Sequence, residues 1–537
     1  VSQAAPAQPA AAPQVSRARR VMMTGVWSAA LQVVSAVTQL LTVPFFLQAW
    51  SSGTYDDWIA LTALVSVLQY ADGGMQSHVV NLLTRTATQE RWDEFRADLA
   101  SATLMYALAG AVAVLGTGAL CGWLVFSGHF HGRALEHQAL AITALLGLQV
   151  ALQLTTGLLT GLYRIFGRAD LSQLVILVLR VALLAGTLIV LVISGNPMAL
   201  AALQLALYGL LFAWLFIDTR RREPHAALGF RGADLKRAIG FLGPSLQYLL
   251  VSVSQGLTQS GTVLVIDWLR PLALVPFSTT RMVASVVRQV IGLFTNSLWP
   301  ELTRLDAQGD RAKFALAHRV LVKLTCSVAL PVTAALLFSG TSLYRVWTRG
   351  KVEPDPLLLR LLLIEVLVVV PGMCSSYVLM ATSRIRDVSR LYAVNGVAQV
   401  VLAAFAVKFI GVWGVGLVVL LLAVVVHAIP VPIWALRVVG ESWASYVRGV
   451  YVPYAIMSLA TVGATGAMHR LLQALGETAK AVVVRACLDG MAALLCTALL
   501  SWLLLLNAQE RTFLLSTARS LLGRRAAKAA LASEPSP

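Results

Sequence analysis

Residues Ala238 to Pro300 read AIGFLGPSLQYLLVSVSQGLTQSGTVLVIDWLRPLALVPFSTTRMVASVVRQVIGLFTNSLWP, and this stretch decides the fold. Its apolar runs approach the ~20 residues a helix needs to cross a bilayer, so it reads as a pair of membrane helices in series. The first helix carries Ser245, Ser252, Gln255, Gln259 and Thr262. At roughly 100° per residue these fall on one face about 100° wide. The second carries Arg281, Ser285, Arg288 and Thr295, flanked by Arg270. By the same arithmetic, Arg270 and Arg281 differ by about 20°, and so do Arg281 and Arg288. Pro271 and Pro276 interrupt the register of Arg270, which leaves Arg281 and Arg288 as the pair. A guanidinium at a helix centre costs about 2.5 to 3.5 kcal/mol on insertion scales. A helix with two of them must face water, a partner or an anion.

The rest of the chain extends this pattern. Of its 537 residues 58% are hydrophobic and 12% charged, which fits a polytopic membrane protein and excludes a soluble domain. The net charge of +17 does not point to nucleic acid. The basic residues sit in short loops between apolar runs, as the positive-inside rule requires. The five cysteines (Cys121, Cys326, Cys374, Cys487 and Cys496) lie in or beside apolar runs without a CxxC pair. They read as packing residues, with no disulfide framework or metal site. No GxxxxGK[ST] loop is present, and no Ser/His/Asp arrangement is argued by spacing.

The expected fold is all-α, with about fourteen transmembrane helices near 22–47, 56–82, 99–126, 138–162, 171–194, 198–217, 238–266, 271–299, 319–345, 357–381, 388–409, 411–436, 447–468 and 479–506. Residues 1–20 form an Ala/Pro/Gln-rich tail, and the helix after Arg17, Arg19 and Arg20 reads as retained rather than cleaved. Residues 21–217 and 238–436 make two six-helix lobes joined by a cytoplasmic linker at 218–237. Residues 437–510 add two C-terminal helices, and 511–537 form a second tail. The arginine-rich loops put both termini in the cytoplasm.

The lobes read as repeats. Helix 1 carries Thr24, Ser28, Gln32, Ser35, Gln39 and Thr42 on one face, and helix 2 carries Thr62, Ser66, Gln69 and Gln76. With Gln149, Gln153, Thr156 and Thr160 on helix 4, these predict a shared polar cavity, although the same residue types also glue membrane helices together. Arg281 and Arg180 fall near mid-membrane by the 1.5 Å rise, and few acids are there to meet them: Asp72 and Glu365 are the main ones. The excess of arginine points to an anionic ligand. Arginine suits pyrophosphate because its planar fork donates two hydrogen bonds and stays charged when desolvated. Asp72, in Asp72-Gly73-Gly74, reads as a helix-end acid, a gate or a counter-charge. Glu365 has Arg360 as a structural partner or else a coupling role. Arg485 and Asp489 pair by i,i+4 spacing. Lys323 and Lys408 snorkel from helix ends. His427 reads as a packing histidine, and the loop histidines His129, His131 and His137 lack a metal-ligand context.

Trp27 to Arg85 resembles the first two helices of Wzx-type oligosaccharide-lipid flippases, in the multidrug/oligosaccharidyl-lipid/polysaccharide exporter superfamily. The resemblance rests on Leu41-Thr42-Val43-Pro44-Phe45-Phe46-Leu47, Thr54-Tyr55-Asp56-Asp57-Trp58, Tyr70-Ala71-Asp72-Gly73-Gly74-Met75 and Asn81-Leu82-Leu83. Ser297-Leu298-Trp299-Pro300-Glu301-Leu302 followed by Ala307-Gln308-Gly309-Asp310 is similar to the family's end of helix 8. Two departures stand out: Asp57 replaces a glycine, and Gly73-Gly74 replaces Leu-Gly. The resemblance covers about half the chain. It implies two lobes around a central cavity, alternating access, and a polyprenyl-pyrophosphate carrier bearing sugars.

The resulting expectation is a transporter and not an enzyme: an inner-membrane flippase for lipid-linked oligosaccharide. Arg180, Arg281 and Arg288, with Arg270 and Asp72 nearby, would bind substrate, and Gln39, Gln255 and Gln259 would bond sugar hydroxyls. Asp72 and Glu365 would couple or gate. No cofactor is expected; the drive is Na+, H+ or the membrane potential alone. Expected partners are membrane lipid and polysaccharide polymerase and chain-length proteins. The alternatives are a cation-coupled small-molecule exporter and a membrane-embedded polysaccharide ligase or glycosyltransferase.

Overall fold

A computed structural model describes residues 14–69, 72–223, 226–308, 310–382 and 386–512. These residues form helices and loops, with no strand among them. Twelve helices are long and apolar enough to cross a membrane. The two expected spans outside that set are the second and the eighth. The second carries Asp56 and Asp57 and contains the undescribed Tyr70 and Ala71, and the eighth carries Arg281 and Arg288.

The chain divides into two compact units, Val1–Met282 with Ile385–Val415, and Val283–Arg384 with Gly416–Pro537. Residues 218–237 therefore fall inside the first unit.

In the first unit, α1 (Gln14–Ala49) packs along α6 (Ala169–Ile193). The expected second helix appears as α2 (Ser52–Gln69) and α3 (Asp72–Thr88), on either side of the undescribed Tyr70 and Ala71. α4 (Trp92–Phe126) packs on α5 (Ala139–Ile165), which also contacts α7 (Pro197–Arg222). Asn196 starts α7 by accepting a hydrogen bond from Met198 N, with Pro197 at the first helical position, where its missing N–H costs nothing. After the short α8 (Leu235–Gly240), the expected seventh helix is not one α-helix. It runs as α9 (Leu242–Gly256), a π segment at Leu257–Gly261 and α10 (Thr262–Leu269). A π segment takes more residues per turn, so the face computed at 100° per residue drifts across it. Thr262 turns inward and accepts from Gln399 Nε2 at 3.3 Å, while Gln255 and Gln259 stay exposed.

α11 (Leu274–Ala307) spans the division between the units. In the second unit, α12 (Arg311–Trp347) packs on α13 (Pro356–Ala381). Asp355 caps α13 by accepting from Leu357 N and Leu358 N. α14 (Arg386–Phe409) belongs to the first unit and packs on α9. Gly396 makes that contact possible, since a Cβ there would lie 2.9 Å from Ser254 Cα. The remaining helices are α15 (Trp413–Leu422), a π segment at Ala423–Ala428, α16 (Pro430–Val439), α17 (Trp443–Tyr446), α18 (Val452–Leu471) and α19 (Ala479–Leu500). α18 and α19 both pack on α12.

Candidate functional site: arginines on an interrupted pair of helices

Arg281 is half-buried on α11 in the first unit. Its Nη1 donates to the carbonyl oxygen of Gln259, inside the π segment. A guanidinium thus bonds the backbone of the helix where its pairing departs from the α pattern. The Phe277 ring, one turn back on α11, lies 5.6 Å from the Arg281 guanidinium carbon. These two contacts hold the cation against the π segment, whose Gln259, like Gln255 one turn before it, has an exposed side chain.

The other polar residues of this unit are mostly committed to helix packing. Ser66 and Ser260 share a hydrogen bond of 2.6 Å. Gln76 Nε2 donates to Gly157 O at 2.5 Å. Gln149, Thr156 and Thr160 are buried. Ser35, Thr38 and Thr42 bond carbonyls four residues back on α1. Gln39 is half-buried on that helix. Arg180 is exposed on α6 and takes part in no described ion pair. Arg270 is exposed at the end of α10. The side chain of Asp72 lies outside the described residues.

Arg288 has different surroundings. It lies in the second unit and pairs with Glu365 of α13. The Glu365 side chain is 8% exposed and that of Arg288 25%. Spacing pairs Glu365 with Arg360, but Arg360 is exposed and the carboxylate meets Arg288 instead. His427, in the second π segment, is within electrostatic reach of Arg288. The backbone there touches α13: a Cβ on Gly372 would sit 1.9 Å from His427 O, so only glycine fits.

Two further expectations are corrected, one a spacing-based pairing and one a snorkelling lysine. Asp489 bonds His469 Nδ1 at 2.7 Å and Ser339 Oγ at 2.5 Å, whereas Arg485 reaches Glu477 at 3.1 Å. Lys323 does not snorkel. It is buried and paired with the buried Glu510 at 2.8 Å. Helical spacing could not find these partners, because His469 and Ser339 lie on other helices, Glu477 lies in the loop before α19 and Glu510 is 187 positions from Lys323.

One cluster was missed by sequence reasoning. In the loop between α4 and α5, Arg133 Nη2 meets Asp267 Oδ1 at 2.6 Å and its Nε lies 3.6 Å from Asp57 Oδ1. His129 Nε2 meets Asp267 Oδ2 at 2.9 Å. Asp57 accepts from Leu135 N and Asp56 from Val275 N, each at 2.9 Å. The clue was Asp56-Asp57, where the resembled family has a glycine. Among the described residues no group of three or more His, Cys, Asp or Glu is placed to hold a metal.

No protein-family model matches the chain, and no curated protein matches it. Solved structures do. A lipid II flippase MurJ in an inward closed conformation aligns with TM-score 0.67 and 14% identity over 88% of this chain and 98% of that one. An inward-facing multidrug resistance MATE family transporter of the MOP superfamily aligns with TM-score 0.59 and 15% identity over 75% and 98%. A MOP superfamily transporter from Pyrococcus furiosus, described by the reverse polarity of its binding pocket, aligns with TM-score 0.53 and 13% identity over 79% and 96%. The chain therefore has the all-helical, multi-pass membrane fold found in the lipid II flippase and the MATE transporters.

Proposed function

We propose that this chain is an inner-membrane flippase that carries a polyprenyl-pyrophosphate-linked oligosaccharide from the cytoplasmic to the outer leaflet by alternating access, for surface polysaccharide synthesis. The observation that carries this reading is the half-buried Arg281 guanidinium, held by the Gln259 carbonyl and the Phe277 ring, in a unit where the side chains of Gln255 and Gln259 are exposed. A planar cation suits pyrophosphate, and amides suit sugar hydroxyls. Likeness to a flippase whose substrate is lipid II supports a lipid-linked cargo. Arg180 would add to the anion site, with Gln39 facing the sugars and polysaccharide polymerase and chain-length proteins downstream. An anion moving outward across an inside-negative membrane gains about 2.3 kcal/mol per charge per 100 mV, so the potential alone can bias export.

A second reading, a cation-coupled exporter, is favoured by the Arg288–Glu365 pair. A buried carboxylate is a group that a coupling proton or sodium ion takes. The deciding variant is Arg281→Ala, because Arg288→Ala would also strand Glu365. Reconstituted in proteoliposomes, Arg281→Ala lowers flipping of the lipid-linked oligosaccharide by about tenfold or more while the melting temperature holds. An unchanged rate overturns the assignment of Arg281.

A further inference from the structure

The first unit contains a second feature that the anion site does not use. An apolar groove of about 640 Å³ runs between α2, α4, α14 and the π–α10 segment. Leu64, Val112, Leu120, Leu264, Val400 and Ala404 form its walls. Val112 is 68% exposed and Leu120 44%, so the groove opens to the surface. Gly116 keeps it wide, and a Cβ there would meet nothing within 4 Å. At one end the groove reaches Trp268 and Leu269. Leu269 also borders a second cavity of about 610 Å³, around Arg270, Pro271, Pro276 and Gly411. Trp268 stacks on Trp123 and on His129, with centroids 6.0 and 5.4 Å apart.

The chemistry of this arrangement is that of a lipid. Tryptophan settles at the membrane–water boundary, which puts Arg270, two residues beyond Trp268, at headgroup depth. The groove is apolar along its length, and the exposed Arg270 follows directly on Leu269, which lines the groove. At about 30 Å³ per water-sized group it holds roughly twenty such groups, the size of a single acyl chain or four isoprene units. A glycerophospholipid brings two chains; one groove and one cation fit a single-chain phosphate lipid.

We infer that this groove and Arg270 form a docking site for the chain and phosphate of a polyprenyl-phosphate lipid, separate from the Arg281 site. The choice of lipid rests on the flippase reading. The shape and charge of the groove do not. Arg270 thus acts at the membrane surface, where its phosphate contact holds the lipid beside the protein before or after transfer.

The test is photocrosslinking of the full chain in lipid nanodiscs, with a polyprenyl pyrophosphate that carries a diazirine in its chain. Crosslinks are expected on α4, α10 and α14, and excess phosphatidylglycerol should not remove them. Gly116→Leu, which fills the groove, and Arg270→Gln, which removes the charge, should each lower the yield by about tenfold. Arg281→Ala should leave it unchanged. Gly116→Leu is read only if its melting temperature matches the parent; Arg270→Gln, at an exposed position, keeps the proposal falsifiable on its own. Crosslinks that phosphatidylglycerol displaces, or that both variants leave unchanged, mean ordinary boundary lipid and overturn the site. Groove crosslinks without flipping in vesicles would uphold the site and sink the flippase reading. Flipping without groove crosslinks would do the reverse.

Discussion

Removing either partner of the Arg288–Glu365 pair should cost more than removing both. Glu365 is buried on α13, and its described partner is Arg288 of α11, itself about a quarter exposed. Arg288→Met leaves a carboxylate in a low-dielectric site without its cation. Breaking a buried pair from one side costs about 3 to 5 kcal/mol. The partial exposure of Arg288 puts this case near about 3 kcal/mol, since solvent screens part of the attraction. Glu365→Leu strands the guanidinium, which reaches water more easily and should lose less, about 2 kcal/mol. The double variant removes both charges and fills the space with apolar side chains, so it should return to within about 1 kcal/mol of the parent. The coupling free energy is then about 4 kcal/mol, far beyond the few tenths expected of independent sites. Thermal or denaturant unfolding of the four proteins in one detergent measures it. If the double variant is destabilised by the sum of the singles, the pair does not hold these helices together and the reasoning fails.

Two other substitutions test the packing that surrounds the site. Gly372→Ala puts a methyl group 1.9 Å from His427 O and forces α13 and the π segment apart; the loss should reach at least the 1 to 3 kcal/mol typical of overpacking, and a melting temperature equal to the parent's would contradict the contact. At the end of the first unit, Asp267→Asn weakens the contacts of Asp267 with both Arg133 and His129. If transport needs this cluster to open, the variant should shift the protein toward conformations open at that end, read as faster cysteine labelling of a reporter placed at exposed Trp268; an unchanged labelling rate would deny the cluster a gating role.

The sequence made the helices legible because membrane spans are written in composition, as apolar runs of about 20 residues bounded by charged loops. The second and eighth expected spans are the two outside the twelve apolar helices. What stayed hidden involved partners on other helices. Spacing can propose Arg485 with Asp489, four residues apart, but not Asp489 with His469 and Ser339, because which helices touch is decided by packing. Lys323 and Glu510, 187 positions apart, are the extreme case. The π segments were hidden too. A helical wheel assumes a constant turn, and nothing in Leu257-Thr258-Gln259-Ser260-Gly261 announces the change of pairing. That segment carries the candidate site, since its Gln259 carbonyl accepts from Arg281 and it moves Thr262 off the expected face.

The most direct test of the proposed activity is transbilayer movement in liposomes containing only the purified chain and a fluorescent polyprenyl-pyrophosphate-linked oligosaccharide. Lipid that becomes accessible to a membrane-impermeant quencher reports flipping. The account predicts protein-dependent movement, faster when a potential makes the destination leaflet positive, and lost in Arg281→Ala. No movement of the sugar lipid, together with proton- or sodium-driven efflux of small cations from the same liposomes, would contradict it and establish the exporter reading.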